Sequence, residues 1–195
     1  MKRLIVGAVL AFVVAATAGC ASNDPLAVTA NQGTTTVGGV ITEIPAAERG
    51  EPIDFPATAT TDESSVSSDD FRGRVLVVNF WYASCPPCRA EAPELARLAQ
   101  QYDAQSVAFL GVNVYDGKPA AKSFEKTFGI PYASVLDADT GSIRLAFAGA
   151  MPPNATPTTL VLDRQGRVAA RLSGAILKGN VLENLIDAVV AEATP

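Results

Sequence analysis

Cys85 and Cys88 stand three residues apart in the stretch Asn79-Phe80-Trp81-Tyr82-Ala83-Ser84-Cys85-Pro86-Pro87-Cys88-Arg89-Ala90-Glu91. That spacing suits thiol–disulfide exchange, with one thiolate as nucleophile and the second thiol resolving the mixed disulfide. Half a zinc site has the same spacing. Tetrahedral zinc needs two further ligands, however, and the chain has no histidine and only one other cysteine, Cys20. A purely structural disulfide across so short a loop would contribute roughly 2 kcal/mol at most through chain entropy. Redox chemistry is the stronger reading, and it requires neither a metal nor an organic cofactor.

Such a pair must be positioned by a strand that turns into a helix. Val75 to Phe80 is β-branched and aromatic, which predicts a strand buried on both faces. Arg89 to Gln101 places Ala92, Leu95, Ala96, Leu98 and Ala99 at helical spacing, and Pro86 and Pro87 are tolerated in a first helical turn. Cys85 then falls at the helix N-terminus, where unpaired N–H groups and the dipole favour a thiolate. It is expected to be the exposed nucleophile, with Cys88 buried one turn further in. Downstream, strands are expected over Val107–Val114 and Tyr132–Leu136, and helices over Lys118–Phe128, Asp139–Phe147 and Gly179–Glu192. A hairpin pairs Thr159–Leu162 with Arg167–Ser173. The class is α/β, one domain of ordinary size.

The chain opens with basic Lys2-Arg3, an uncharged run from Leu4 to Ala16, and Thr17-Ala18-Gly19-Cys20, the form of an export signal. Its end resembles a bacterial lipobox, which implies a signal peptide over residues 1–19 and lipid on Cys20. An uncleaved membrane anchor is the alternative, and either places the domain outside the cytoplasm. Residues 20–48 lack sustained periodicity and are expected to form a flexible tether, with an extra strand over Thr34–Glu43 as the competing reading. Thr58 to Ser68, small and polar, is expected to be an exposed turn. Net charge is −5, and about −7 without Lys2 and Arg3, which argues against a nucleic acid partner.

Asp70-Phe71-Arg72-Gly73-Arg74, Val78-Asn79-Phe80-Trp81, Cys85-Pro86-Pro87-Cys88-Arg89-Ala90-Glu91-x-Pro93 and Thr156-Pro157-Thr158 occur in one order. Together they resemble the membrane-tethered TlpA/ResA/DsbE-like thiol–disulfide oxidoreductases of the thioredoxin-like superfamily. The resemblance implies a domain over residues 49–195: a central mixed β-sheet flanked by helices, an N-terminal β-hairpin beginning near Gly50, and a βα insertion over Ala108–Ala148. It implies Cys85 and Cys88 as the redox pair, Pro157 as a cis-proline facing them, and Thr156, Pro86 and Pro87 as substrate contacts. Glu91 is implied beside the active site, as a candidate proton shuttle where Asn79 replaces the buried aspartate of basic thioredoxins. Ser84 stands where the family usually has tryptophan, which is expected to leave Cys85 more exposed. Implied partners are protein thiols or disulfides, including apocytochrome c, and a membrane redox protein. Direction is read as weakly reducing; an oxidant, a peroxiredoxin-like peroxidase and a binding module are the alternatives.

Overall fold

The computed structural model describes residues 34–36, 39–102, 104, 106–150, 155–177 and 179–192. The expected signal peptide, Cys20 and the first part of the expected tether lie outside the described residues.

Strand β5 (Val75–Trp81) is buried along its whole length. It runs parallel to β6 (Val107–Asn113) and antiparallel to β8 (Thr158–Leu162). Alternation along β5 sends Leu76, Val78 and Phe80 into a core with Leu110, Leu160, Ile143 and Phe147. Val75 and Val77 face the other way, onto Leu95 and Leu98 of helix α1 (Pro86–Gln101) and Leu182 and Ile186 of helix α4 (Gly179–Val190). Each such aliphatic side chain removed from water contributes about 1.5–3 kcal/mol. Asn79 shares the second face by the same period of two, which points its amide at α1.

β9 (Val168–Ser173) extends the sheet antiparallel to β8, and β7 (Ser134–Leu136) extends it parallel to β6. Helix α2 (Lys118–Phe128) and the short α3 (Ser142–Ala146) belong to the insertion, and α2 ends on Gly129 in the left-handed region at φ 62°. Strands β1 (Thr34–Thr36) and β2 (Gly39–Glu43) complete the order β1-β2-β9-β8-β5-β6-β7.

The tether expected through residue 48 is corrected at its C-terminal end. Val40 to Glu43 pair antiparallel with Ser173 to Ala170, and Thr42 is buried. The physical reason is that β9 would otherwise be an unpaired edge, and the β-branched residues of this segment suit a pleated, half-buried surface.

The hairpin expected from Gly50 is displaced. Residues 50–55 form no strand, and the two-stranded unit is β3 (Thr58–Ala59) with β4 (Ser65–Val66). Pro52 and Pro56 cannot donate to a ladder, so that stretch contributes a buried Phe55 side chain instead of strand pairing. Nor is Thr58 to Ser68 simply an exposed turn. Thr60 bridges Val135, and Thr60 and Thr61 are buried against β7.

Candidate active site

Cys85 is the N-cap of α1, with the extended backbone (φ −69°, ψ 112°) that a residue before proline adopts. Its Sγ accepts the Cys88 N–H at 3.2 Å. Pro86 and Pro87 fill the first two helical positions and have no N–H to offer, so Cys88 supplies the one hydrogen bond to Cys85 Sγ among the described residues. The two cysteines are joined by a disulfide, their Cα atoms 5.2 Å apart. The expected difference in exposure is corrected: both cysteines are only 1% exposed. Bonded to each other, they belong to a cluster with Trp81, Ala92, Ala121 and Phe124, and the exposed residues around them are Ser84, Pro86, Pro87, Arg89 and Ala90. A small side chain at position 84 therefore does not uncover Cys85.

The loop before Cys85 is anchored by groups that the sequence did not single out. Asp116 Oδ2 accepts the Ala83 N–H at 2.5 Å and Asn113 Nδ2 at 2.8 Å, while Asn113 Oδ1 accepts the Tyr115 and Asp116 N–H groups. Arg89 Nη1 donates to the Ala83 carbonyl from the helix side. Trp81 stacks on Phe124 with centroids 4.2 Å apart, and Tyr82 meets Tyr115 edge-on. These aromatics pack the frame of the site, Trp81 and Phe124 in one cluster with the two cysteines.

Glu91 lies one turn beyond Cys88 on α1 and is wholly buried. Its Oε1 accepts Asn79 Nδ2 at 2.8 Å, and its Oε2 accepts the Ile176 N–H at 2.9 Å. Burial raises its pKa to about 7, only partly opposed by the hydrogen bonds from Ile176 and Asn79. No cation meets the carboxylate among the described residues. Asn79 also donates to Thr159 Oγ1 at 3.0 Å, a contact foreshadowed only by the register in which Asn79 faces Thr159.

The Thr156–Pro157 bond is cis, as the resemblance implied. Phe80 pairs with Thr158, so Pro157 falls at the end of β8 beside the last residue of β5, from which the chain runs to Cys85. The Pro157 carbonyl accepts the Gly174 N–H at 2.9 Å, and Thr158 Oγ1 donates to the Ala155 carbonyl. The structure thus gathers Cys85, Cys88, Glu91, Thr156 and Pro157 at the C-terminal end of β5. Chemically, it can form and break a disulfide beside an acid that titrates near neutrality.

A family model described as Redoxin matches residues 42–186. Among curated proteins, the chain is 30% identical over 116 residues to thiol-disulfide oxidoreductase ResA of Geobacillus thermodenitrificans, covering 60% of this chain and 64% of that protein. It is 34% identical over 140 residues to thiol:disulfide interchange protein DsbE of Pseudomonas aeruginosa, covering 69% and 71%. The match thus spans just under two thirds of the ResA relative. Among solved structures, a DsbF homologue from Corynebacterium diphtheriae aligns with TM-score 0.67 and 28% identity, over 80% of this chain and 96% of that one. A secreted thiol-disulfide isomerase from Corynebacterium glutamicum aligns with TM-score 0.68 and 25% identity, over 82% and 96%. The fold is thioredoxin-like.

Proposed function

The chain belongs to the Redoxin family, and we propose that it is a thiol–disulfide oxidoreductase that works through Cys85 and Cys88 on protein thiols and disulfides. The observation that carries this reading is the disulfide across the first turn of α1, with Cys85 as N-cap, Glu91 beneath and the cis Thr156–Pro157 bond at the adjoining strand end. In the reducing direction, the Cys85 thiolate attacks a partner disulfide and one partner sulfur leaves as thiolate. Cys88 then loses its proton and attacks Cys85 Sγ, which closes the intramolecular disulfide and releases the second partner sulfur. The partner gains two electrons and the pair loses two. Glu91 is the base for the Cys88 proton, since a carboxyl titrating near 7 is well matched to a thiol and Asn79 cannot ionise. An extended partner segment would lie across Pro86, Pro87 and Thr156. Because the Pro157 carbonyl is already engaged by Gly174, backbone pairing with the partner falls to Thr156.

The direction proposed is weakly reducing. With two prolines after the cap, one N–H stabilises the Cys85 sulfur, and a less stabilised thiolate makes the disulfide harder to reduce. The chain would act outside the cytoplasm, tethered by lipid on Cys20, fed by a membrane redox protein and serving apocytochrome c. The export-type leader and the DsbE and ResA relatives support this placement.

The test is trapping. Cys88→Ser should accumulate mixed disulfides through Cys85, Cys85→Ser should reduce insulin no faster than background, and iodoacetamide should label Cys85 before Cys88 in the reduced protein. Reversed labelling would exchange the two roles. A redox midpoint well above about −180 mV would make the protein an oxidant.

A further inference from the structure

Beneath Cys88 lies a cavity of about 10 Å³, lined by Asn79, Trp81, Cys88, Phe124, Tyr132 and Ser134 among others. That is room for the centre of one water molecule, with several polar groups in its walls. Ser134 is wholly buried, and its Oγ has no hydrogen-bond partner. The hydroxyl fits there because position 111 has no side chain: a Cβ on Gly111 would stand 2.3 Å from Ser134 Oγ and 2.9 Å from Trp81 Nε1. Both Asn79 amide hydrogens go to Glu91 and Thr159, so neither is donated to Ser134.

On the far side of Ser134 is Glu125 of α2, half-buried, whose Oε1 accepts Thr61 Oγ1 at 3.0 Å. The Thr61 N–H in turn donates to the Ser134 carbonyl at 2.8 Å, so the hairpin loop, β7 and α2 meet at this point. Burial raises the Glu125 pKa, and the Ser134 hydroxyl opposes that rise. The hydroxyl is thus near enough to act on the carboxylate as a side-chain donor does, although the resting geometry counts no hydrogen bond between them. Asp62 pushes Glu125 the same way as burial and Lys122 pushes it back, while the Tyr132 phenol, raised chiefly by burial and further by Glu91 and Glu125, stays neutral.

We propose that Ser134 holds a water in this cavity and that the pair relays the Cys88 proton to Glu125, a second outlet beside Glu91. The inference rests on the redox reading of Cys85 and Cys88. As Cys88 Sγ bonds to Cys85 Sγ and the partner sulfur leaves with the electron pair, the Cys88 proton passes to the water. The water passes a proton to Ser134 Oγ, whose own proton goes to the Glu125 carboxylate and from there to solvent. Ser134 and Glu125 are positioning residues for this transfer, because neither touches the sulfurs.

The experiment follows 5,5′-dithiobis(2-nitrobenzoate) reduction by the reduced full chain carrying Cys20→Ser. The first nitrothiobenzoate reports attack by Cys85, and the second reports resolution by Cys88. Ser134→Ala is expected to slow the second release by about tenfold and to change its pH profile. Glu125→Gln, at a half-exposed position that tolerates an isosteric amide, should do the same. Glu91→Gln combined with Ser134→Ala should be slower than either alone. A second release with unchanged rate and pH profile in both Ser134→Ala and Glu125→Gln overturns the relay and leaves the redox pair standing. A parent protein that gives no second release overturns the redox reading and the relay together.

Discussion

Two buried carboxylates at opposite ends of the central sheet, Asp163 and Glu91, are held in opposite ways. Where β8 turns into β9, Asp163 Oδ2 accepts Arg49 Nη1 at 3.0 Å and Arg167 Nε at 2.9 Å, while Oδ1 accepts the Gln165 and Arg167 N–H groups. Arg49 also grips Glu192 and the Ile44 carbonyl, so one buried guanidinium ties the segment after β2 to the end of α4. At the site end, Glu91 meets only the neutral donors Asn79 and Ile176. A cation holds the first carboxylate in place; the second, without one, has its pKa raised to about 7 by burial.

Removing each compensation tests that contrast. The largest loss is expected for Asp163→Ala, which strands buried Arg49 with one acidic partner fewer; urea denaturation should show roughly 3–5 kcal/mol less stability. A loss under about 1 kcal/mol would mean that this end is not held by charge. Next comes the pH dependence of Glu91. Its pKa is about 7 in the folded protein against 4.5 in an exposed glutamate, so the folded state keeps a proton that the unfolded chain releases. Stability from this group is fully present below about pH 4.5 and is lost as pH rises to 7, a change of about 3 kcal/mol. In Glu91→Gln that decline should vanish, because the amide does not titrate. A parallel pH–stability curve for the two proteins would place the titration elsewhere. The smallest effect is Arg167→Gln: that side chain is partly exposed, so screening limits the cost to at most about 1 kcal/mol, shrinking further in salt.

Much of this was legible in local sequence. The β-branched run of β5, the prolines opening α1, the α2 span and Gly129 after it each depend on neighbours within a few residues, and the structure has them as expected. Pro157 was legible only through the resemblance, since nothing in an isolated Thr-Pro pair distinguishes cis from trans. What escaped is non-local. The strand reading of Thr34 to Glu43 ranks behind a tether until β9 offers an edge, and Thr60 and Thr61 look like a polar turn until β7 covers them. Ser134, Glu125 and Asp116 are ordinary residues in the sequence, and their interest comes from groups up to 73 positions away in the chain, as Thr61 is from Ser134. Cys85 misled differently. A helix N-terminus says where the sulfur's donors are, not what packs over it.

Pro86 and Pro87 have one more consequence, and it belongs to the unfolded chain. Each ring fixes a φ that the first turn of α1 needs anyway, which removes conformations the denatured ensemble would otherwise explore. At compatible positions that restriction is worth about 0.4–1 kcal/mol per proline. The pair that strips hydrogen-bond donors from the Cys85 sulfur therefore also shortens the entropic distance to the folded junction. The restriction acts whether or not the sulfurs are bonded, so it persists when the crosslink is reduced.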